Sequence, residues 1–357
     1  MKISPLQIHN LSTQQDYPKY KDYLKQINTA NPFYRLEILL NPLVDSEGLK
    51  YFVFSTDDNP RILMLFYLRT IICPITKKKF YDVISPYSYS GPIFNKDIEP
   101  NIIIQFWKAV DLWYKENNVV SEFIRFSLNN NHMHYSGLVV QTLKNVKGQI
   151  VHYETQWSNF SKKVRNNIRK ALKYELEFDI LQSEIDLDSI KVFYKIYLDT
   201  MIRNNAEKRY HFSLDYFIKF LKNNGDCSAL ALVKKNNLVI SVELLLMDDK
   251  HVYSFLGGTD ATYFKFRPND FLKFNVINWA RDNEYKYYVL GGGQIDNDSL
   301  YKYKKTFFPL DENVFFHTGR KIINIEKYKS LVMNLNVEVP VSQIFDISKG
   351  FFPRYRE

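Results

Sequence analysis

Lys304 is the residue around which the chemistry of this chain can be arranged. It lies in the stretch 286–308, KYYVLGGGQIDNDSLYKYKKTFF. Tyr287 to Leu290 reads as a buried strand, and Gly291, Gly292 and Gly293 follow it. Three glycines after a strand let the backbone adopt positive φ and approach a ligand closely, although such an exit also serves as a plain tight turn. Asp296 and Asp298 form an acidic loop, and Asp298 or Ser299 is placed to cap a short helix. Within that helix Tyr303 and Phe307 are four residues apart and share one inward face, with Lys304 beside it near the glycine exit. A cation held there suits a developing oxyanion or a phosphate. The bland alternative is that Lys302, Lys304 and Lys305 solvate a helix face.

Glu243 is the second residue of note. It interrupts the apolar run SVELLLM, and burial would raise its pKa; on a half-exposed strand it would simply face solvent. Asp260 and Asp296 are further candidate proton acceptors, with Asp296 and Asp298 equally suited to loop or cap roles. His132 and His134 stand at strand spacing on one face, but no Cys, Asp or Glu cluster at ligand spacing accompanies them, so no metal site is expected. A Gly-x-Ser-x-Gly elbow and a Walker loop are both absent.

The elements that must position these residues follow from periodicity. Leu49 to Ser55 and Arg61 to Thr70 read as strands around a turn, Tyr81 to Ile84 as a third, leading into SPYSYSGP. Glu99 to Asn118 is an amphipathic helix with Ile103, Phe106, Trp107, Val110 and Trp113 on one side, and Glu122 to Leu128 is a strand. Asn159 to Tyr174 is a basic helix with Phe160, Val164, Ile168 and Leu172 as its apolar stripe, offering a cationic face to phosphates or a solvated one. Helices at Ile185 to Asn204 and Ser213 to Asn223 follow. Ser228 to Lys234, Leu238 to Met247 and His251 to Leu256 are strands. Pro268 to Asn283 is a helix with proline at its start, and Lys286 to Leu290 is the next strand. Both halves thus run hairpin, third strand, glycine-containing loop, helix, strand. This predicts an α/β (α+β) fold of two tandem lobes, each a mixed β-sheet flanked by helices, the second opening near residue 150. Hairpin, third strand and crossover helix are also the core order of the GNAT acyltransferase fold.

The chain has 357 residues, 45% apolar and 16% aromatic, enough for real cores and too apolar for disorder. A net charge of +9 favours anionic partners without reaching the density of a dedicated nucleic-acid binder. Cys73 and Cys227 sit far apart in apolar runs and read as buried free thiols. No signal-peptide pattern or membrane-length apolar run is visible, so a cytoplasmic protein is expected, working in solution or at the inner face of the membrane.

Five segments together resemble the Fem-type aminoacyltransferases and related GNAT-like femAB acyltransferases. They are PYSYSGP (Pro86 to Pro92), VRNNIRKAL (Val164 to Leu172), YLDTMIRNNAEKRYHF (Tyr197 to Phe212), SFLGGTD (Ser254 to Asp260) and VLGGGQIDNDSLYKYKKTF (Val289 to Phe307). The resemblance covers nearly the whole chain in order. It implies two GNAT-like lobes, residues 1–150 with 317–357 returning to them, and residues 151–316 carrying the active site. It implies transfer of an acyl or aminoacyl group to an amine of a cell-envelope precursor, a peptidoglycan peptide stem or an amino sugar. The precursor would be nucleotide- or lipid-linked. No cofactor is implied; the donor is a co-substrate, aminoacyl-tRNA or an acyl thioester on CoA or a carrier. Lys304 matches the family lysine that stabilises the acyl-transfer transition state, with Tyr303 in place of phenylalanine; the resemblance names no base, and Glu243, Asp260 and Asp296 stay open as candidates beside loss of the amine proton to water or to the substrate itself. Arg203 matches a phosphate-contacting arginine. Arg267, Tyr87, Tyr89, Tyr303 and the glycines 291–293 complete the expected substrate contacts. Two departures stand out. No charged heptad insertion is present, so no long coiled-coil arm is expected. No Q/R-x-x-G-x-G/A motif precedes the second-lobe helix, where Lys265-Phe266-Arg267-Pro268-Asn269-Asp270 stands instead. Pro268 has no N–H to offer a diphosphate and Asp270 repels one, which argues against standard acetyl-CoA binding. A non-catalytic anionic-surface or nucleic-acid binder is the remaining, more distant reading.

Overall fold

The computed structural model describes residues 5–39, 48–72, 78–95, 97–334 and 344–357. Its strands, in chain order, are β1 (Leu6–Asn10), β2 (Leu49–Thr56), β3 (Asn59–Ile72), β4 (Lys79–Ile84), β5 (Pro92–Phe94), β6 (Val119–Arg125) and β7 (Leu138–Gln149). They continue with β8 (Glu177–Gln182), β9 (Ser228–Lys235), β10 (Leu238–Met247), β11 (His251–Thr259), β12 (Tyr287–Gly291) and β13 (Val314–Ile322). The chain divides into two compact units. One comprises residues 1–29, 44–142 and 315–357, the other residues 30–43 and 143–314.

In the first unit the strands run β1-β2-β3-β4-β6-β13, with β5 paired to β3. The β2–β3 hairpin and β3–β4 are antiparallel, whereas β4 and β6 are parallel. A parallel pair needs a crossover, and helix Pro100–Glu116 supplies it. Its buried side chains are Ile103, Phe106, Trp107, Val110 and Tyr114; Tyr114, not Trp113, completes the expected apolar face. His132 and His134 do not share a strand. They lie in a turn in which His134 has φ 61°, and the His132 ring stacks on His317 at 4.2 Å.

The second unit repeats this topology. Its strand order is β7-β12-β11-β10-β9-β8, to which β7 contributes Val146 to Gln149. The β9–β10 hairpin and β10–β11 are antiparallel, β11 and β12 are parallel, and helix Pro268–Asp282 is the crossover between the last two. Residues 30–43, placed by sequence order in the first lobe, belong to this unit. Phe33 packs edge-on against Tyr253 at 5.1 Å and Arg35 pairs with Asp226 at 2.6 Å, contacts that no local pattern announces. Cys227 is a buried free thiol, and Cys73 lies outside the described residues.

The basic helix spans Lys162–Leu172, its Ser161 cap accepting from the Val164 N–H at 3.3 Å. Phe160, Val164, Ile168 and Ala171 are buried, but Leu172 is 54% exposed. The i, i+4 stripe drifts about 40° around an α-helix with each step, so its last member leaves the core. Among the described residues the longest helices have 17 residues, which leaves no long coiled-coil arm. Ile168→Ala should therefore cost about 2–5 kcal/mol of stability and Leu172→Ala less than about 0.5 kcal/mol, as read by denaturant titration of the two variants.

Candidate functional site

β12 ends at Gly291, whose φ of +75° turns the chain out of the sheet. Gly293 lies against the carboxylate of Asp298. A Cβ there would stand 2.0 Å from Asp298 Oδ1. That carboxylate closes the loop, accepting from the backbone N–H groups of Gln294 (2.7 Å) and Tyr301 (2.7 Å), and it caps helix Ser299–Lys305 as the sequence suggests. These backbone hydrogen bonds hold the Asp298 carboxyl below the usual range. Asp296 is engaged at the other side of the loop, accepting from the Lys144 N–H at 3.1 Å.

The capped helix delivers Tyr303 and Lys304 back towards the glycines. The Tyr303 ring meets Phe307 edge-on at 5.5 Å, the shared face read from their spacing. Lys304 Nζ donates to the Gly292 carbonyl at 2.6 Å. Burial, then the charge of Lys273, pulls the Lys304 ammonium down to about 8, against the opposing pull of Glu243 and Asp298. The result is a cation held by a neutral carbonyl at the mouth of a strand.

Glu243 lies in the middle of β10 and is 2% exposed, so the solvent-facing alternative does not hold. Its Oε1 accepts from Lys273 Nζ and from the Ser254 hydroxyl, and its Oε2 accepts from the Tyr288 hydroxyl at 2.8 Å. Lys273 Nζ also donates to Ser254 Oγ at 2.9 Å. Tyr288 is buried, and burial together with the adjacent carboxylate pushes its hydroxyl pKa well up, so it stays a donor. Both Glu243 oxygens are thus occupied and its charge is matched by Lys273. This arrangement suits a structural counter-ion better than a free proton acceptor.

Sequence reasoning missed Lys273, Ser254 and Tyr288. The signal was present for one of them: Lys273 is the lone cation in the apolar helix segment FLKFNVINW, and the lone acid in the run SVELLLM needed a partner. Asp260 caps the following turn, accepting from the Thr262 N–H at 2.9 Å. Asp270, seen from sequence only as a charge unfavourable to a diphosphate, is 7% exposed in the first turn of helix Pro268–Asp282 and accepts from Asn167 Nδ2 at 3.1 Å.

Arg203 ends helix Leu187–Arg203 and is exposed, with Nη1 donating to the Thr259 carbonyl at 3.1 Å and its guanidinium 5.2 Å from the Phe264 ring centre. Arg267 is exposed and left-handed (φ 61°), and the helix begins at Pro268 immediately after it. Tyr87 and Tyr89 belong to the first unit. Tyr87 is exposed with the Arg125 guanidinium 6.0 Å from its ring centre, and Tyr89 is half-buried against Phe316. Among the described residues no three His, Cys, Asp or Glu are grouped to hold a metal ion, and no helix is long and apolar enough to cross a membrane.

Residues 158–305 match the acetyltransferase (GNAT) domain family model, so the second unit carries an acyltransferase domain of GNAT type. No curated protein matches the chain. Among solved structures, FemX superposes with a TM-score of 0.62 at 13% identity, covering 91% of this chain and 99% of FemX. L-PGS from Bacillus licheniformis gives 0.59 at 13% identity, covering 91% and 98%. The C-terminal domain of a putative lysylphosphatidylglycerol synthetase from Agrobacterium fabrum gives 0.57 at 11% identity, covering 88% and 97%. The Fem-type, GNAT-like architecture implied by the five sequence segments is thus the architecture of this chain.

Breaking the buried pair on one side should be costly and breaking both sides much less so. Glu243→Leu alone should lose about 3–5 kcal/mol, because Lys273 is left buried without a counter-charge. Adding Lys273→Met should recover most of that loss, and the double-mutant cycle in urea measures the coupling.

Proposed function

We propose that this protein transfers an acyl or aminoacyl group to an amine of a cell-envelope precursor, at a site in the second unit where Lys304 stabilises the oxyanion. The observation that carries this reading is the placement of Lys304. A half-buried lysine beside a glycine-lined strand exit, tied to a carbonyl and not to a carboxylate, retains its positive charge for an incoming group. Attack of an amine on an ester or thioester puts negative charge on the carbonyl oxygen, and a preorganised cation in a water-poor site stabilises that charge without reorganising. The strand exit at the glycines 291–293 sets backbone beside Lys304, and Tyr303 gives one wall of the site. Arg203 and Arg267, both exposed in the same unit, supply cations for phosphates of the donor.

The donor in this reading is aminoacyl-tRNA, with an acyl carrier as the alternative and no resident cofactor. The start of helix Pro268–Asp282 supports this choice. Proline stands first, and the buried carboxyl of Asp270 occupies the turn in which a diphosphate would need free N–H groups. FemX and the lysylphosphatidylglycerol synthetase domain share the fold, so both a peptide-stem or amino-sugar amine and a lipid headgroup belong in the acceptor panel. The basic helix, with Lys162, Lys163, Arg169 and Lys170 exposed, would meet tRNA or a membrane surface peripherally.

Purified protein should retain charged tRNA from total tRNA, with affinity falling steeply as salt rises, and should transfer its amino acid to one acceptor of the panel. Lys304→Ala should lower that transfer by about 10²–10³-fold while tRNA retention persists. Because the Lys304 pKa is lowered to about 8, its cation is present below that pH and lost above it. The wild-type rate should therefore fall as pH rises through about 8, measured at saturating acceptor. Retention without transfer to any acceptor would leave only an anionic-surface binder.

A further inference from the structure

Three pieces of chain meet at one end of the second unit's sheet, and each exposes a large apolar side chain close to a lysine. Helix Lys162–Leu172 ends there, with Leu172 54% exposed and Lys173 after it. The β9–β10 turn carries Lys235 and then Leu238, which is 52% exposed. The short helix Ala261–Phe266, which follows β11, carries Phe264, 47% exposed, and then Lys265. Side-chain contacts join the three pieces. Lys235 Nζ donates to the Tyr174 carbonyl at 3.1 Å and lies 5.0 Å from the Phe266 ring centre. Tyr174 meets Phe266 edge-on at 4.7 Å, and Lys265 Nζ is 5.0 Å from the same ring centre.

The charge of this surface is positive. Its acids are Asp179, paired with Lys234, and Asp260, which accepts from the Thr262 N–H and hydroxyl within its own turn, together with the exposed Glu175 and Glu177. Against them stand Lys173, Lys234, Lys235, Lys265 and Arg267, and the surface continues into Arg169 and Lys170 of the helix. One exposed apolar side chain is ordinary; three joined at one end and interleaved with lysines call for a partner that rewards both. A second copy of the chain would set these lysines against their own equivalents. RNA would engage the lysines but reward aromatic faces and not Leu172 and Leu238. An anionic bilayer meets both, its phosphates taking the lysines and its acyl boundary the apolar side chains. The position suits this partner as well. β11 and β12 are parallel, so β11 leaves the sheet for Ala261–Phe266 at the same end at which β12 leaves for the glycines beside Lys304.

We propose that the end of helix Lys162–Leu172, the β9–β10 turn and the helix Ala261–Phe266 form a docking surface for an anionic lipid bilayer. Leu172, Leu238 and Phe264 enter the boundary between headgroups and acyl chains, and Lys173 and Lys265 meet lipid phosphates, while Lys235 holds the three pieces together. The docking stands without the acyl-transfer reading. Under that reading it brings the Lys304 end of the sheet to a bilayer, where a lipid-linked acceptor would be presented.

Co-sedimentation of the full chain with vesicles of phosphatidylcholine, with and without phosphatidylglycerol, supplies the test. Binding should require phosphatidylglycerol and fall as salt rises. Lys173→Gln with Lys265→Gln should lower it about fivefold per lysine at low salt. Leu172→Ser with Leu238→Ser leaves every charge in place and should lower it about tenfold. Leu238→Trp gives an independent reading if that double variant does not fold: bromine on the acyl chains should quench its emission beyond the quenching of wild type. No binding to phosphatidylglycerol vesicles overturns the dock. So does binding that the leucine variant leaves intact, because net charge alone would then account for it. Loss of both tRNA retention and vesicle binding in the lysine variant, with neither lost in the leucine variant, would make this an RNA face instead. Self-association without vesicles, abolished in the leucine variant, would assign the surface to a second copy. Vesicle binding that behaves as expected, without transfer from any donor to any acceptor, would sink the acyl-transfer reading and keep the dock.

Discussion

The ion pair of Glu243 and Lys273 is the constraint on which the second unit depends. It joins β10 to helix Pro268–Asp282, while Ser254 brings in β11 and Tyr288 brings in β12. Four elements therefore converge on one carboxylate that is nearly shielded from water. Such a pair adds little net stability compared with a well-packed apolar core, but its loss on one side is severe. It fixes which helix face meets which strand, because the alternatives leave a charge buried alone. The first unit uses the same device. Glu122 on β6 is fully buried, accepts from Tyr135 at 2.7 Å and lies 3.2 Å from Lys321 of β13.

Where the sequence could be read, the cause was local. The glycine exit, the Asp298 cap and the Tyr303–Phe307 face all lie within about five turns' length of chain and follow from φ preference, capping and helix spacing. The hairpins and crossover helices were legible for the same reason, since each is an uninterrupted pattern of one period. Leu172 shows the limit of that reasoning: a fixed spacing of four is not the period of the helix. β7 and β13 were not read as strands. Their sequences, LVVQTLKNVKGQ and VFFHTGRKI, mix lysine, glycine and polar residues with half-buried apolar ones, and pairing across the sheet decides them.

The candidate site divides along the same line. Lys304 and Glu243 stood out because each broke an expected pattern, a cation on a packed face and an acid in an apolar strand. Their partners did not, because the contacts span long separations: 30 residues from Glu243 to Lys273, and 103 from Asn167 to Asp270. The histidine pair is the converse case. Alternation alone placed His132 and His134 on a strand, but positive φ at Asn130 and His134 turns the chain there.

These features explain why Lys304 is available at all. A buried lysine near a buried glutamate would ordinarily pair with it, and its charge would then be matched before any substrate arrived. Here Lys273 already occupies Glu243, and Ser254 and Tyr288 fill the remaining positions on that carboxylate. The two members of the pair act on Lys304 in opposite directions: after burial, its lysine lowers the Lys304 pKa and its glutamate raises it. Burial is then left as the main influence, which brings the ammonium to about 8, still charged near neutrality yet weakly committed. A carboxylate partner would raise that value, whereas the Gly292 carbonyl orients Nζ without neutralising it. The structural ion pair and the uncommitted cation are thus two results of one arrangement of charge.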